Sequence, residues 1–259
     1  MTILDELAEY ARVIVEKEKI NISAGEIRRL AEGLPAGPSF FEALKKDGMS
    51  FICECKKASP SKGLIEPDFD YMRIATDYEA AGADAISVLT EPKWFLGSND
   101  YLKQIAKQVS IPCLRKDFTV DEYMIYEAKT LGASAVLLIC SILDASQIKE
   151  YLQIAESLGL SALVEAHDAG EIETALDCGA AIIGVNNRNL ADFSVDSANS
   201  KNLRALVPGD VVFVAESGIN DGADVAELKS VGVDAVLVGE ALMRAPDKAA
   251  KLKELKSML

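Results

Sequence analysis

Short apolar runs of strand length alternate with amphipathic stretches of helix length along almost the whole chain. A recurring phrase marks the junctions: AGADAISVL at 81–89, LGASAVLLI at 131–139, LGLSALVEA at 158–166, CGAAIIGVN at 178–186 and VGVDAVLVG at 231–239. In each, a glycine suits the left-handed residue that closes a helix, and the apolar run beyond it reads as a strand buried on both faces. Successive copies begin 50, 27, 20 and 53 residues apart, so the first and last gaps each leave room for one more unit. IPCLRKDF at 111–118 and VVFVAES at 211–217 supply them. With FICECKK at 51–57 this predicts eight strands, starting near 51, 85, 111, 135, 161, 181, 211 and 235. Eight strand–helix units point to an α/β protein, a (β/α)8 (TIM) barrel of the usual ~250 residues, in preference to an open doubly wound sheet. Residues 1–47 read as an N-terminal helical extension, with a face at Ile3, Leu7, Tyr10, Ala11 and Ile14. A Leu-Pro-Ala-Gly-Pro break at 34–38 then precedes a short helix around Phe40 to Lys46. The expected organisation is a single barrel domain over 1–259, with 1–47 as the extension and 48–259 as the barrel.

Composition narrows the chemistry. With 41 acidic against 27 basic residues the net charge is −14, a field that repels polyanions and argues against nucleic acid. A small anion has to be captured by a local cluster of Lys, Arg and backbone N–H groups. No run approaches the ~20 apolar residues of a membrane span, and the N-terminus carries charges throughout its helical pattern, so neither a membrane nor export is expected. Cys53, Cys55, Cys113, Cys140 and Cys178 lie mostly in strand-like runs without metal-ligand spacing, which predicts reduced thiols in a cytoplasmic protein. One histidine, His167, rules out His-based metal sites and leaves proton transfer to carboxylates and lysines. A monomer is expected, with an oligomer left open.

In a barrel of this kind the site forms where the strands end. Period-two alternation puts Glu54 and Lys56 on one face of the first strand and Cys53 and Cys55 on the other. Facing the interior, the acid and the amine would tune each other for proton transfer; a structural ion pair at the mouth is the equal alternative. Further polar ends occur at Arg115-Lys116-Asp117, Glu165, Asn186-Asn187-Arg188 and Glu216-Ser217-Gly218. Arg115 and Asn187 read best as solvated loop residues, but the joint occurrence of such ends points to a polar pocket. Ser217-Gly218 and Gly239-Glu240 follow the last two strands, where barrels commonly bind phosphate through backbone N–H groups; Glu240 itself cannot be an anion ligand. The loop Ala58–Leu64 has an anion-contacting make-up but equally the make-up of a plain turn. Trp94, Phe95 and Phe118 can wall an aromatic ligand or pack against the extension, and His167 reads as a surface residue at the start of a helix.

Taken together, ECKKASPSKG at 54–63, LTEPKWFLGS at 89–98, LRKDF at 114–118, EAHD at 165–168, IGVNNRNL at 183–190, AESGI at 215–219 and VGEALMR at 238–244 resemble indole-3-glycerol phosphate synthase over the whole chain. The resemblance implies conversion of 1-(2-carboxyphenylamino)-1-deoxyribulose 5-phosphate to indole-3-glycerol phosphate, in tryptophan biosynthesis, without metal or organic cofactor. It implies Lys116 as general acid for ring closure, and Glu54 and Lys56 in the proton transfers of dehydration. Glu165 would stabilise positive charge on the anilino nitrogen or accept a proton, and Asn186 and Glu216 would hold substrate hydroxyls. Ser59, Ser217, Gly218 and Gly239 would surround the phosphate, with Glu240 beside them, and Arg188 would support the carboxylate region or the local charge network. Phe95, Phe118, Leu137 and Leu190 would pack the anthranilate ring. One departure is Asn189, where the family pattern carries Asp after the Asn-Arg pair. The rival readings are a Schiff-base aldolase using Lys116 or Lys56, a sugar-phosphate isomerase using Glu54, and a non-catalytic phosphate-binding barrel.

Overall fold

The computed structural model describes residues 2–189 and 193–259. Eight parallel strands, β1 (Ser50–Cys55), β2 (Ala85–Leu89), β3 (Cys113–Lys116), β4 (Ala135–Ile139), β5 (Ser161–Ala166), β6 (Ile182–Asn186), β7 (Val212–Glu216) and β8 (Ala235–Val238), close into a barrel in chain order, β8 pairing back to β1. Each observed start lies within two residues of the predicted one. The reason is physical: a strand covered by helices outside and side chains inside is buried on both faces, and an unbroken apolar run results.

Helices α4 (Tyr71–Ala80), α5 (Asn99–Gln108), α6 (Glu122–Thr130), α7 (Ala145–Ser157), α8 (Ala169–Asp177), α9 (Asn199–Leu203), α10 (Gly222–Ser230), α11 (Glu240–Arg244) and α12 (Lys248–Leu255) cover the ring. Much of the acidic surplus starts them. Asp70, Asp121, Asp144, Asp168, Asp221 and Asp247 each accept a backbone N–H at a helix N-terminus, where a carboxylate also meets the positive end of the helix dipole. At the other end Gly82, Gly132, Gly159, Gly179 and Gly232 all adopt positive φ, as the recurring phrase predicts.

The extension forms α1 (Ile3–Asn21), α2 (Ala24–Glu32) and α3 (Phe40–Leu44). Its first buried face is Leu4, Leu7, Ala8, Ala11 and Val15, rotated slightly from the predicted one. Ile3 instead borders the barrel mouth, and Tyr10 stands edge-on to Trp94 with ring centroids 5.4 Å apart. Trp94 therefore packs on the extension. The sequence reading also missed the break at Ile22–Ser23, although Ser23-x-x-Glu26 is a helix-start signature. Buried Lys129 on α6 donates to Pro35 O at 2.8 Å, and Tyr123 Oη to Ile22 O at 3.1 Å, fastening the extension to the ring. Short α3 lies at the opposite end, where Phe41 N–H reaches Ser161 Oγ at 3.3 Å and Lys45 reaches Asp210 O at 3.4 Å, beside the starts of β5 and β7. The segments before β1 thus touch both ends of the barrel.

Candidate active site

The C-terminal ends of the strands enclose a cavity of about 320 Å³. β1 delivers Glu54 inward and Lys56 just beyond its end. Lys56 Nζ lies 2.5 Å from Glu54 Oε1, and Ser87 Oγ on β2 donates to Glu54 Oε2 at 3.2 Å. Cys53 and Cys55, on the alternate positions, are buried, and burial pushes both thiols up, which keeps them inert. β3 delivers Lys116, whose ammonium sits between two buried carboxylates, 3.1 Å from Glu165 Oε2 and 3.0 Å from Glu216 Oε2. Asn186 at the end of β6 donates to Glu165 Oε1 at 3.3 Å and accepts the Arg188 N–H at 3.0 Å.

One ammonium cannot fully neutralise two carboxylates in a water-poor space, and the three groups divide accordingly. For Lys116, burial opposes the charged form, but Glu165, Glu216 and Glu54 outweigh it and hold the amine protonated. For Glu165, burial again opposes ionisation, but Lys116, His167 and the Asn186 hydrogen bond prevail and lower its pKa. Glu216 goes the other way: burial and the neighbouring carboxylates outweigh Lys116 and push it up to about 7.

Two glycines make this packing possible. A side chain at Gly184 on β6 would occupy the space of Glu216 Oε1, and one at Gly239 would run into Glu54 Oε1. Gly239 therefore guards the Glu54–Lys56 pair as well as turning the chain into α11. Sequence reasoning gave Gly184 no role; a glycine inside an otherwise apolar strand was the available signal.

Around this centre lie the other predicted residues. Ser217 (φ 66°) and Gly218 (φ 77°) form two consecutive left-handed positions after β7, turning the loop toward the cavity, and a side chain at Gly218 would meet Val195. Ser59 is buried in a small hairpin in which 58–59 pair with 63–64, so the first loop is neither unstructured nor a single turn. Glu240 lies 3.6 Å from Lys62, 3.8 Å from Arg188 and 3.0 Å from Arg244, so it gathers cations at the rim and does not face an anion alone. Phe95 and Phe118 line one wall with centroids 6.0 Å apart, with Leu137 beneath. The buried carboxylate of Glu91 shapes that wall by accepting the N–H groups of Lys93, Trp94 and Phe95 at 2.8–2.9 Å, a role the sequence reading missed. Every predicted site residue among those described borders the cavity. Leu190 lies outside the described residues.

Three expectations need correction. Arg115 is not solvated: it points out of the barrel into the layer below α6 and binds Glu127 at 2.7 Å and Met124 O at 2.9 Å. Asn187 is buried as well, donating to Ser217 O at 3.0 Å and accepting Ser200 N–H at 2.9 Å, which fastens the loop after β7. His167 is no surface residue; only 21% of its side chain is exposed, between Glu165 and Glu171. In each case a polar side chain at or just past a strand end found partners that residue type alone does not announce. Among the described residues, no cluster of His, Cys, Asp and Glu has the make-up of a metal site, and no helix is long and apolar enough to cross a membrane.

Residues 4–255 match the family model described as indole-3-glycerol phosphate synthase. The indole-3-glycerol phosphate synthase of Ruminiclostridium cellulolyticum is 55% identical over 256 residues, covering 98% of each chain. That of Endomicrobium trichonymphae is 54% identical, covering 98% of this chain and 99% of its own. Among solved structures, 3-hexulose-6-phosphate synthase from Salmonella typhimurium superposes with a TM-score of 0.67 at 17% identity, over 82% of this chain and 98% of that one, a likeness of fold alone.

Proposed function

The chain belongs to the indole-3-glycerol phosphate synthase family, and from that premise we propose how its residues share the work. The activity is ring closure, decarboxylation and dehydration of 1-(2-carboxyphenylamino)-1-deoxyribulose 5-phosphate, a step of tryptophan biosynthesis. The substrate carries a phosphate, a carboxylate, hydroxyls and an aromatic ring, and the cavity offers a counterpart to each.

Lys116 donates a proton to the substrate carbonyl as the aromatic ring attacks it, and the oxygen becomes a hydroxyl. The observation that carries this assignment is the ammonium held between Glu165 and Glu216, with its proton-bearing form stabilised. That protonated state also speaks against a Schiff-base aldolase, which needs a free amine as nucleophile. Loss of CO₂ restores the aromatic ring. Water then leaves: Lys56, paired to Glu54, donates to the departing hydroxyl, and a carboxylate removes a proton from the carbon beside the nitrogen. Glu165, kept ionised, faces the positive charge that develops on the anilino nitrogen or takes that proton. Glu216, close to half-protonated near neutrality, can both give and accept a hydrogen bond at a substrate hydroxyl, with Asn186 beside it.

The phosphate sits against Ser59, Ser217, Gly218 and Gly239, and Lys62 supplies nearby positive charge, so a local cluster overcomes the acidic whole. Arg188 serves the carboxylate region, and Phe95, Phe118 and Leu137 pack the anthranilate ring. Five free thiols support a reducing, cytoplasmic setting. Indole fluorescence appearing when the purified protein meets the anilino-deoxyribulose phosphate tests the reading; no fluorescence from a folded, substrate-saturated protein overturns it.

A further inference from the structure

β5 ends at Glu165-Ala166 and the chain turns at His167 into α8. The imidazole is clamped there. Its Nδ1 lies 3.2 Å from Glu171 Oε2, the same oxygen accepts the His167 backbone N–H at 2.7 Å, and Asn199 Nδ2 donates to His167 O at 3.1 Å. Nε2 is left aimed at Glu165 Oε1, 3.6 Å away, buried and without a hydrogen bond among the described residues. The other Glu165 oxygen faces Lys116. The ring borders a second cavity, which it shares with Asp5 of α1, Glu171 and Asp196, and it does not line the chamber holding Lys116. Substrate filling the main mouth would therefore leave the imidazole in place.

We propose that His167 is a positioning residue for the reaction, an imidazolium clamped by Glu171 that keeps Glu165 a carboxylate when Lys116 gives up its proton. In that step the Nζ–H bond breaks, the carbonyl oxygen gains the hydrogen as a hydroxyl, and Lys116 becomes a neutral amine. Glu165 and Glu216 then lose the cation between them, and two carboxylates facing a neutral amine cannot both remain ionised at no cost. His167 contacts Glu165 and not Glu216, so the remaining positive charge favours ionised Glu165 and leaves Glu216 to hold a proton. Separations of this kind commonly close to hydrogen-bond length only in the substrate complex.

The surroundings favour the imidazolium. Burial opposes it, but the Glu171 hydrogen bond and the charges of Glu165, Glu171 and Glu216 outweigh burial, raising the pKa above its ordinary 6.5. Asp5 and Asp196 across the second cavity add acidic neighbours, and Lys116 beyond Glu165 is the opposing cation.

This inference rests on the acid–base reading of Lys116 and Glu165 above. The test is the pH profile of kcat, by indole fluorescence, for the wild type, His167→Gln, Glu171→Gln and Glu165→Gln. In the wild type kcat should fall as pH rises through the His167 pKa. His167→Gln should remove that alkaline limb, lower kcat roughly fivefold to fiftyfold, and move the acid limb of Glu165 up by about one pH unit. Glu171→Gln, which keeps an acceptor but no charge, should move the alkaline limb down by about one unit. A His167→Gln profile superimposable on the wild type overturns the proposal, and so does an unmoved limb in Glu171→Gln should the first variant fail to fold. Wild-type turnover by Glu165→Gln would instead overturn the reading of Glu165, and this inference with it.

Discussion

Arg115 and Lys116 are neighbours on one strand, both cations, both largely buried, and they serve opposite ends. Strand alternation sends Arg115 outward beneath α6 and Lys116 inward to the mouth. Around Arg115 the donors are well used, by Glu127, Met124 O, Asn99 Oδ1 at 3.1 Å and Thr90 Oγ1 at 3.3 Å, with Asp117 at 3.6 Å. Around Lys116 the balance is poor: Glu216 Oε1 lacks a hydrogen-bond partner among the described residues, and Glu216 titrates near 7. A buried charge whose partners match its capacity is architecture. One whose partners compete for too little compensation is poised to move a proton.

Substitutions on the two sides should separate these roles. Lys116→Ala should lower turnover by about 10²–10⁴-fold while substrate affinity stays within about tenfold, read by single-turnover fluorescence and equilibrium binding. Unchanged turnover would remove Lys116 as the acid. Arg115→Leu should show the reverse: a loss of about 3–5 kcal/mol in urea unfolding, because Asp117 and Glu127 are left buried, with kcat of the folded fraction near wild type. Gly239→Ala, whose methyl displaces Glu54, should reduce kcat by about 10²-fold with a smaller effect on melting.

The smallest effect concerns Glu216→Gln. A raised pKa means that the folded protein binds this proton more tightly than the unfolded chain. The site's stabilising contribution is therefore full below about 4.5 and is lost as pH rises to about 7. The free energy of urea unfolding should fall less steeply with pH over that window in the Gln variant, by a difference on the order of 1–2 kcal/mol. Equal slopes would show that Glu216 is not held protonated.

The barrel was legible because its signal is local and repeated: glycine at five of the helix ends, then a doubly buried apolar run. The chemistry at strand ends was legible in residue type, and the family resemblance assigned the roles. What stayed hidden depends on where the folded chain brings a side chain and its partners together, near or far in sequence. Arg115 finds Glu127 only once β3 and α6 pack, Asn187 finds Ser217 across 30 residues, and His167 finds Glu165 only through the direction of one turn. Gly184 was invisible for a related reason, since what matters there is the room it leaves for a side chain on the next strand.

The helical segments ahead of β1 have a consequence for anyone transplanting this catalyst. Ile3 and Leu7 of α1 belong to the wall of the reaction chamber, and Tyr10 braces the loop carrying Trp94 and Phe95. A minimal scaffold rebuilt from the eight repeating units would inherit the lysines and glutamates at the strand ends, yet leave the Phe95 and Phe118 wall of the chamber open to water.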